Sequence, residues 1–232
     1  MSFSSGSDID RRGLREHVYD AILRTLLDGG VEPGGRLSID TIARELDVSP
    51  TPVREALVML ERTGLVTRVA QKGYRMAPAL DDRQLDELFE ARILLEVEAT
   101  RLAFPHRGEL IPTLSRVMQE HEERAEHILE IMGEGGVPPE LTAAYFDIDG
   151  EFHNAIFGHA GNRYVSEMYE TLGARSYRMR QAVVRGVHDV RDATAEHRAI
   201  LDAFVAGDQK AVTAAMRTHI ENVRRRSLED NR

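Results

Sequence analysis

The sequence contains no cysteine and no tryptophan, and no apolar run approaches the roughly 18 residues that a membrane-spanning helix needs. Without cysteine it cannot be a disulfide scaffold, and this absence fits a reducing compartment. The N-terminal stretch MSFSSGSDIDRR lacks the apolar segment of a secretory signal, so we expect residues 1–10 to form a disordered tail. These absences favour a cytoplasmic protein with no membrane partner.

The excess of acidic over basic residues lies in the C-terminal two-thirds of the chain. The net charge is −9, yet residues 1–78 contain 11 basic and 11 acidic residues. The rest of the chain therefore carries all of the excess acid. This asymmetry indicates a small neutral domain over residues 11–78 joined to a larger acidic domain over residues 79–232, with the boundary near Pro78.

Residues 11–78 show the order helix, short helix, turn, helix and two-stranded hairpin. Ser38 or Asp40 can cap the second helix, and Ser49 can cap a third helix that has Pro50 at its first position. The extended segments LVTRV and YRMA follow, joined by the tight connection AQKG. This order predicts a winged helix-turn-helix, an arrangement that most often binds DNA.

The predicted DNA contacts lie on the third helix and at the tip of the hairpin. Thr51 and Arg54 face away from the apolar side of that helix, where an arginine can reach a phosphate or a guanine edge. Lys72 and Gly73 lie at the hairpin tip, where glycine lets the backbone approach a groove closely. The alternative is a winged helix used for protein contacts, with Arg54 merely exposed to solvent.

From Asp81 onward the sequence shows helical periodicity throughout. Breaks at glycine and proline separate predicted helices at 81–104, 109–132, 139–159, 162–186, 190–206 and 208–229. The predicted fold class is therefore mainly α, with an N-terminal winged helix-turn-helix followed by an antiparallel bundle of six to seven helices.

Four metal-capable side chains interrupt the apolar faces of these helices. Asp149 and His153 lie one turn apart on an inward face, and His197 and His219 each lie on an apolar stripe of a later helix. A lone inward histidine is usually a satisfied core residue, but three imidazoles and a carboxylate that converge suit a divalent ion. Zn²⁺ is the first candidate, and Ni²⁺ and Mn²⁺ are the alternatives.

Two arginines also face inward. Arg92 and Arg175 each interrupt an apolar stripe, and a buried guanidinium favours an anion such as a carboxylate. We therefore predict that both bind a small carboxylate ligand. An internal salt bridge, for example between Arg92 and Glu96, is the alternative. The remaining histidines, His121 among them, are predicted to lie on polar faces or beside helix breaks, and they are assigned no role.

The N-terminal motifs resemble those of the GntR family of bacterial transcription regulators. The segment RLSIDTIARELDVSPTPVREALVMLERTGLVTRVAQKGYRM is similar to the DNA-binding domain of that family over about residues 14–78. The resemblance implies that Thr51 and Arg54 contact DNA from the recognition helix, and that Lys72 and Gly73 contact it from the wing. Many relatives have arginine where this sequence has Pro50, so their operator sequences do not transfer.

The C-terminal motifs resemble the FCD domain, the ligand-binding domain of the FadR subgroup. ELFEARILLEVEATRLA, DGEFHNAIFGHAGN and AEHRAILDAFVAGDQKAVTAAMRTHI occur in the order found in that domain, over about residues 82–228. The resemblance implies that Asp149, His153, His197 and His219 are metal ligands and that a small organic acid is the effector. It also implies a homodimer on a near-palindromic DNA operator.

These observations predict a metal-containing, effector-responsive transcription regulator, with repression as the expected sign. Two alternatives belong to other classes. A His₃Asp site with an open position is also compatible with a metal-dependent hydrolytic enzyme. A DNA-binding protein whose bundle serves only for dimerisation is compatible with the domain order, and it predicts no bound metal and no effector response.

Overall fold

A computed structural model describes the backbone of residues 6–27, 29–62, 64–70, 72–78, 80–131, 139–183 and 187–229. Side chains are described over the same ranges except for residues 6–12, 27, 139–140, 142–143, 174–183 and 187–189. The chain divides into two compact units, Met1–Ala79 and Leu80–Arg232.

The first unit is a winged helix-turn-helix, as the sequence predicts. Its elements are α1 (Gly6–Leu27), β1 (Arg36–Leu37), α2 (Ile39–Glu45), α3 (Pro50–Arg62), β2 (Val66–Val69) and β3 (Gly73–Met76). Because α1 begins at Gly6, the prediction of a disordered tail is wrong for residues 6–10. Its remaining part, residues 1–5, lies outside the described residues.

Local sequence signals account for the helix-turn-helix. The hydroxyl of Ser38 accepts a hydrogen bond from the backbone N–H of Thr41 at 3.3 Å, which caps α2 and decides between the two predicted caps. Pro50 begins α3, where its missing N–H is not needed. The inner face of α3 is fully buried and consists of Val53, Ala56, Leu57 and Leu60.

The wing is a three-stranded antiparallel sheet in the order β1-β3-β2. The predicted hairpin corresponds to β2 and β3, in which Val69 pairs with Gly73. The sequence does not predict β1, because a strand of two residues is too short to show a periodic pattern. Arg36 pairs with Arg75, and the Arg75 side chain donates a hydrogen bond to the Gly34 carbonyl at 2.8 Å.

The second unit is an all-helical bundle that agrees closely with the predicted helices. Its elements are α4 (Asp82–Ala103), a short 3₁₀ turn (Phe104–His106), α5 (Arg107–Ile131), α6 (Pro139–His159), α7 (Arg163–Val183), α8 (Val187–Ala206) and α9 (Gln209–Glu229). Asp81 and Gln84 form a reciprocal capping box that begins α4. Within the described ranges, each helix is too short or too polar to cross a membrane.

Candidate metal centre

Five metal-capable side chains lie together in the core of the bundle. Helix α6 carries Asp149 and His153, while α8 carries His197, α9 carries His219 and α5 carries His121. All five are buried. The structure therefore places the four predicted metal ligands side by side and adds a histidine that the sequence analysis left without a role.

Three imidazole nitrogens of this cluster converge on one point. His197 Nε2 lies 3.1 Å from His153 Nε2 and 3.2 Å from His219 Nε2. With metal–nitrogen bonds near 2.1 Å, neighbouring donors are separated by about 3.0 Å in an octahedral site and by about 3.4 Å in a tetrahedral site. Both distances from His197 Nε2 fall between these values, and the ligand atoms of the three histidines lie within 4.8 Å of one another, so the three can share one divalent ion.

Asp149 joins the three histidines through His197. Its Oδ1 lies 3.7 Å from His197 Nε2. The side chains form two overlapping groups, His153–His197–His219 and His121–Asp149–His197, and in each group the ligand atoms lie within 4.8 Å of one another. His197 is common to both groups and is the centre of the cluster.

Two carboxylates contact the outer nitrogens of the imidazoles, and Glu96 is fully buried while Glu196 is partly buried. Glu96 Oε2 lies 2.6 Å from His153 Nδ1, and Glu196 Oε2 lies 2.8 Å from His219 Nδ1. A carboxylate at Nδ1 favours the proton there, which leaves the Nε2 lone pair directed at the centre of the site. His219 thus has the outer hydrogen bond that orients histidines in metal sites, and His153 has a close contact with a carboxylate at the same ring nitrogen.

The Glu196 carboxylate is ionised and has several partners. It accepts hydrogen bonds from Asn222 Nδ2 at 2.8 Å and from Arg226 Nη1 at 2.9 Å, in addition to the His219 contact. Burial favours a raised pKa for Glu196, but the hydrogen bonds from His219 and Arg226 outweigh it and lower the pKa to about 2. Glu196 therefore remains a hydrogen-bond acceptor for His219 at neutral pH.

His121 is the residue of the cluster that the sequence analysis missed. The sequence analysis groups it with the histidines on polar faces or beside helix breaks, but the structure buries it fully. Its Nδ1 lies 3.3 Å from His197 Nδ1. The signal that identifies it is the buried stripe of α5, in which His121 follows Leu114 and Met118 and precedes Ala125.

Arg92 lies next to the histidine cluster and is fully buried. Its Nε donates to Glu96 Oε1 at 2.6 Å, so the predicted internal salt bridge is present. Nη1 and Nη2 are buried and have no hydrogen-bond partner among the described residues. One edge of the guanidinium thus pairs with Glu96, while two donors are available for an anion. The side chain of Arg175 lies outside the described residues.

The predicted DNA contacts form part of the surface of the winged helix domain. Thr51 and Arg54 are exposed and lie one turn apart on α3. Lys72 and Gly73 are exposed at the tip between β2 and β3, where Gly73 has a φ of +79°, a conformation that favours glycine.

The fold defines a class of protein, in which a winged helix-turn-helix domain of the kind that binds DNA is joined to an all-helical domain. Comparison with protein families identifies both parts. Residues 14–76 match "Bacterial regulatory proteins, gntR family", and residues 87–222 match "FCD domain". The chain therefore belongs to the GntR family of bacterial transcription regulators and carries an FCD domain, as its motifs indicate.

Individual relatives agree with this assignment. The chain is 27% identical to the uncharacterized HTH-type transcriptional regulator BphR of Paraburkholderia xenovorans (strain LB400), over 95% of this chain and 89% of BphR. It is 26% identical to the HTH-type transcriptional repressor GlaR of Escherichia coli (strain K12), over 87% and 90% of the two chains. The solved structure of E. coli McbR/YncC shares the fold, with a TM-score of 0.73 and 22% identity over 90% of this chain and 94% of that one.

These comparisons decide the class of activity. The chain is a DNA-binding transcription regulator and not an enzyme, because its family and its relatives are transcription regulators. They give no support to the metal-dependent hydrolytic enzyme considered as an alternative above.

Proposed function

We propose that this regulator is a metal-containing repressor whose operator affinity is controlled by a small organic acid bound in the FCD domain. The observation that carries the proposal is the convergence of His153, His197 and His219, whose Nε2 atoms lie at ligand spacing in a buried core. The protein would act in the cytoplasm as a homodimer on double-stranded operator DNA.

The chemistry of the donors favours a borderline divalent cation. His153, His197 and His219 would supply neutral nitrogen ligands, and Asp149 would supply one carboxylate and offset part of the ionic charge. Zn²⁺ is the first candidate for this set, with Ni²⁺ and Mn²⁺ as alternatives. A bound ion would act as a Lewis acid that attracts an anionic ligand.

The orientation of the buried histidines disfavours a bundle that serves only for dimerisation. Glu96 and Glu196 favour protons on the Nδ1 atoms of His153 and His219, so both Nε2 lone pairs face His197. Imidazoles that converge in this way in a core are unfavourable unless a cation or a shared proton lies between them. A divalent cation accounts for the whole cluster, whereas a dimerisation scaffold needs none of it.

Arg92 extends the site toward the effector. Its Nη1 and Nη2 donors are buried and match the two oxygens of a carboxylate. Arg92 is tied to Glu96, and Glu96 contacts His153, so the guanidinium belongs to the same polar network as the histidines. A small carboxylate would bind Arg92 and the metal together, which identifies the effector by chemical class. Arg175 is proposed as a second cationic contact.

Regulation would follow from linkage between the two ligands. If the effector favours one arrangement of the FCD domain and DNA favours another, effector binding lowers the affinity for DNA. DNA then lowers the affinity for the effector by the same factor. Couplings of this type are about 1–3 kcal/mol, which corresponds to roughly 5- to 150-fold in operator affinity. Repression is proposed because the related GlaR is a transcriptional repressor.

Elemental analysis of the purified protein tests the metal centre. We expect about one divalent ion per chain in the wild type and a loss of this ion in Asp149→Ala. The control variant Asp147→Ala should retain the ion, because Asp147 is an exposed carboxylate on the same helix. The metal-loaded protein should then release fluorescent operator DNA when small carboxylates are added. A wild-type protein that neither contains nor takes up a divalent ion contradicts the metal centre.

A further inference from the structure

The three converging histidines are held in two different ways. His153 and His219 each have a glutamate at Nδ1, at 2.6 Å and 2.8 Å. His197 has another imidazole there instead, because His121 Nδ1 lies 3.3 Å from its own Nδ1. A contact at this distance between two neutral imidazoles is a hydrogen bond only if one of the two nitrogens carries a proton.

We propose that His121 is a positioning residue for the metal centre, and that it accepts a hydrogen bond from His197 Nδ1–H when His197 Nε2 is a metal ligand. The proposal rests on the metal centre proposed above. It assigns to His121 the role that Glu96 and Glu196 have for the other two histidines. His121 would fix the tautomer of His197 and keep its Nε2 lone pair directed at the ion.

Aromatic packing holds both rings in the geometry that this bond needs. The Phe152 ring stacks on His197 with 4.4 Å between centroids and 12° between planes. The Tyr145 ring contacts His121, with 4.6 Å between the ring centroids. Because both imidazoles are fully buried, solvent does not replace the hydrogen bond if His121 is removed.

The direction of this hydrogen bond must depend on metal occupancy. In the metal-free protein His153 Nε2 and His219 Nε2 lie 3.1 Å and 3.2 Å from His197 Nε2, which favours a proton on His197 Nε2 that is shared with these two acceptors. Its Nδ1 is then bare, and His121 Nδ1 is the donor. Each imidazole carries one proton in this state.

With a metal ion on His197 Nε2, the neutral pair would hold its two protons on His197 Nδ1 and His121 Nε2. His121 Nδ1 would then accept the hydrogen bond from His197 Nδ1–H, so the bond would run in the opposite direction. His121 is thus able to support His197 in both states, which a carboxylate acceptor is not, since it has no proton to donate.

Two variants of His121 separate the hydrogen bond from packing. In His121→Asn the amide oxygen occupies nearly the position of Nδ1 and still accepts from His197, whereas His121→Leu fills the space without a polar atom. We expect His121→Leu to lower Zn²⁺ affinity by about 10- to 100-fold in a chelator competition assay, and His121→Asn to recover most of the loss. His127, an exposed histidine of the same helix, provides the matched control His127→Leu.

Each result of this assay decides the proposal. Wild-type affinity in His121→Leu overturns it. A loss in His121→Asn as large as that in His121→Leu also overturns it, because the imidazole ring itself would then be needed, as in a second ion site formed with Asp149. Circular dichroism of each variant establishes that the helices are retained.

A second measurement does not depend on the metal centre. In ¹⁵N-labelled metal-free protein, the proposal predicts a scalar coupling across the hydrogen bond between His121 Nδ1 and His197 Nδ1, with the proton on His121. Absence of that coupling overturns the inference. If the wild type bound no ion but showed the coupling, the proposed metal centre would fail while the His121–His197 hydrogen bond remained.

Discussion

The partly buried Glu196 carboxylate and the buried His219 imidazole form a hydrogen-bonded pair, with 2.8 Å between Oε2 and Nδ1. Arg226 donates to both carboxylate oxygens from the other side, at 2.9 Å and 3.2 Å. His219 is therefore fixed with Nδ1 toward an anion and Nε2 toward His197. An imidazole held in this way loses little freedom when it binds a metal.

This pair leads to the first prediction, which concerns Glu196→Gln. The amide does not carry the negative charge that keeps the proton on His219 Nδ1, and its pairing with Arg226 is weakened. We expect metal affinity to fall by about 10- to 100-fold in calorimetric titration. Asp192→Asn changes an exposed carboxylate of the same helix and should leave the affinity unchanged. Equal affinity in wild type and Glu196→Gln would show that this contact does not orient His219.

The second prediction concerns stabilisation by the metal and its loss in His153→Ala. An ion at 100 times its Kd stabilises the folded protein by about 2.7 kcal/mol, which for a domain of this size raises Tm by roughly 5–10 °C. His153→Ala should abolish stoichiometric binding and this rise in Tm, while circular dichroism shows largely unchanged helical content. Undiminished metal content in the variant would show that His153 is not a metal ligand.

The bundle could be predicted from the sequence because its signals are local. Apolar residues at helical spacing, separated by glycine and proline, placed the helices of the second unit within a few residues of their bounds in the structure. Asp149 and His153 share a helix face, so their common direction follows from spacing alone. The inward directions of His197 and His219 follow in the same way from the stripes of α8 and α9.

Features that depend on contacts between distant segments could not be predicted in this way. Glu96 contacts His153 from another helix, and no spacing within α4 indicates that contact. His121 is surrounded by glutamates along the chain, and its burial depends on how α5 packs against α6 and α8. The two residues of β1 form a strand only through pairing with Tyr74 and Arg75.

The third prediction concerns DNA recognition by Arg54. If its exposed guanidinium meets a phosphate, Arg54→Ala should weaken operator binding and lower the slope of log K against log salt by about one unit. Fluorescence anisotropy at several salt concentrations measures both quantities. Arg217→Ala removes an exposed arginine from the FCD domain and should leave the salt slope unchanged. Operator binding that is insensitive to Arg54→Ala would mean that α3 does not present this residue to DNA.

The fourth prediction separates effector binding from metal binding at Arg92. Arg92→Lys keeps a cation beside Glu96 but removes the planar pair of Nη donors that matches a carboxylate. We expect the variant to bind metal and operator DNA, yet to need at least about tenfold more carboxylate effector for DNA release, because a bidentate pair is replaced by a single point charge. Effector titrations of the metal-loaded protein on operator DNA measure this shift. An unchanged effector response in Arg92→Lys would place the carboxylate away from Arg92, whereas a simultaneous loss of metal would show that Arg92 acts through Glu96 and His153.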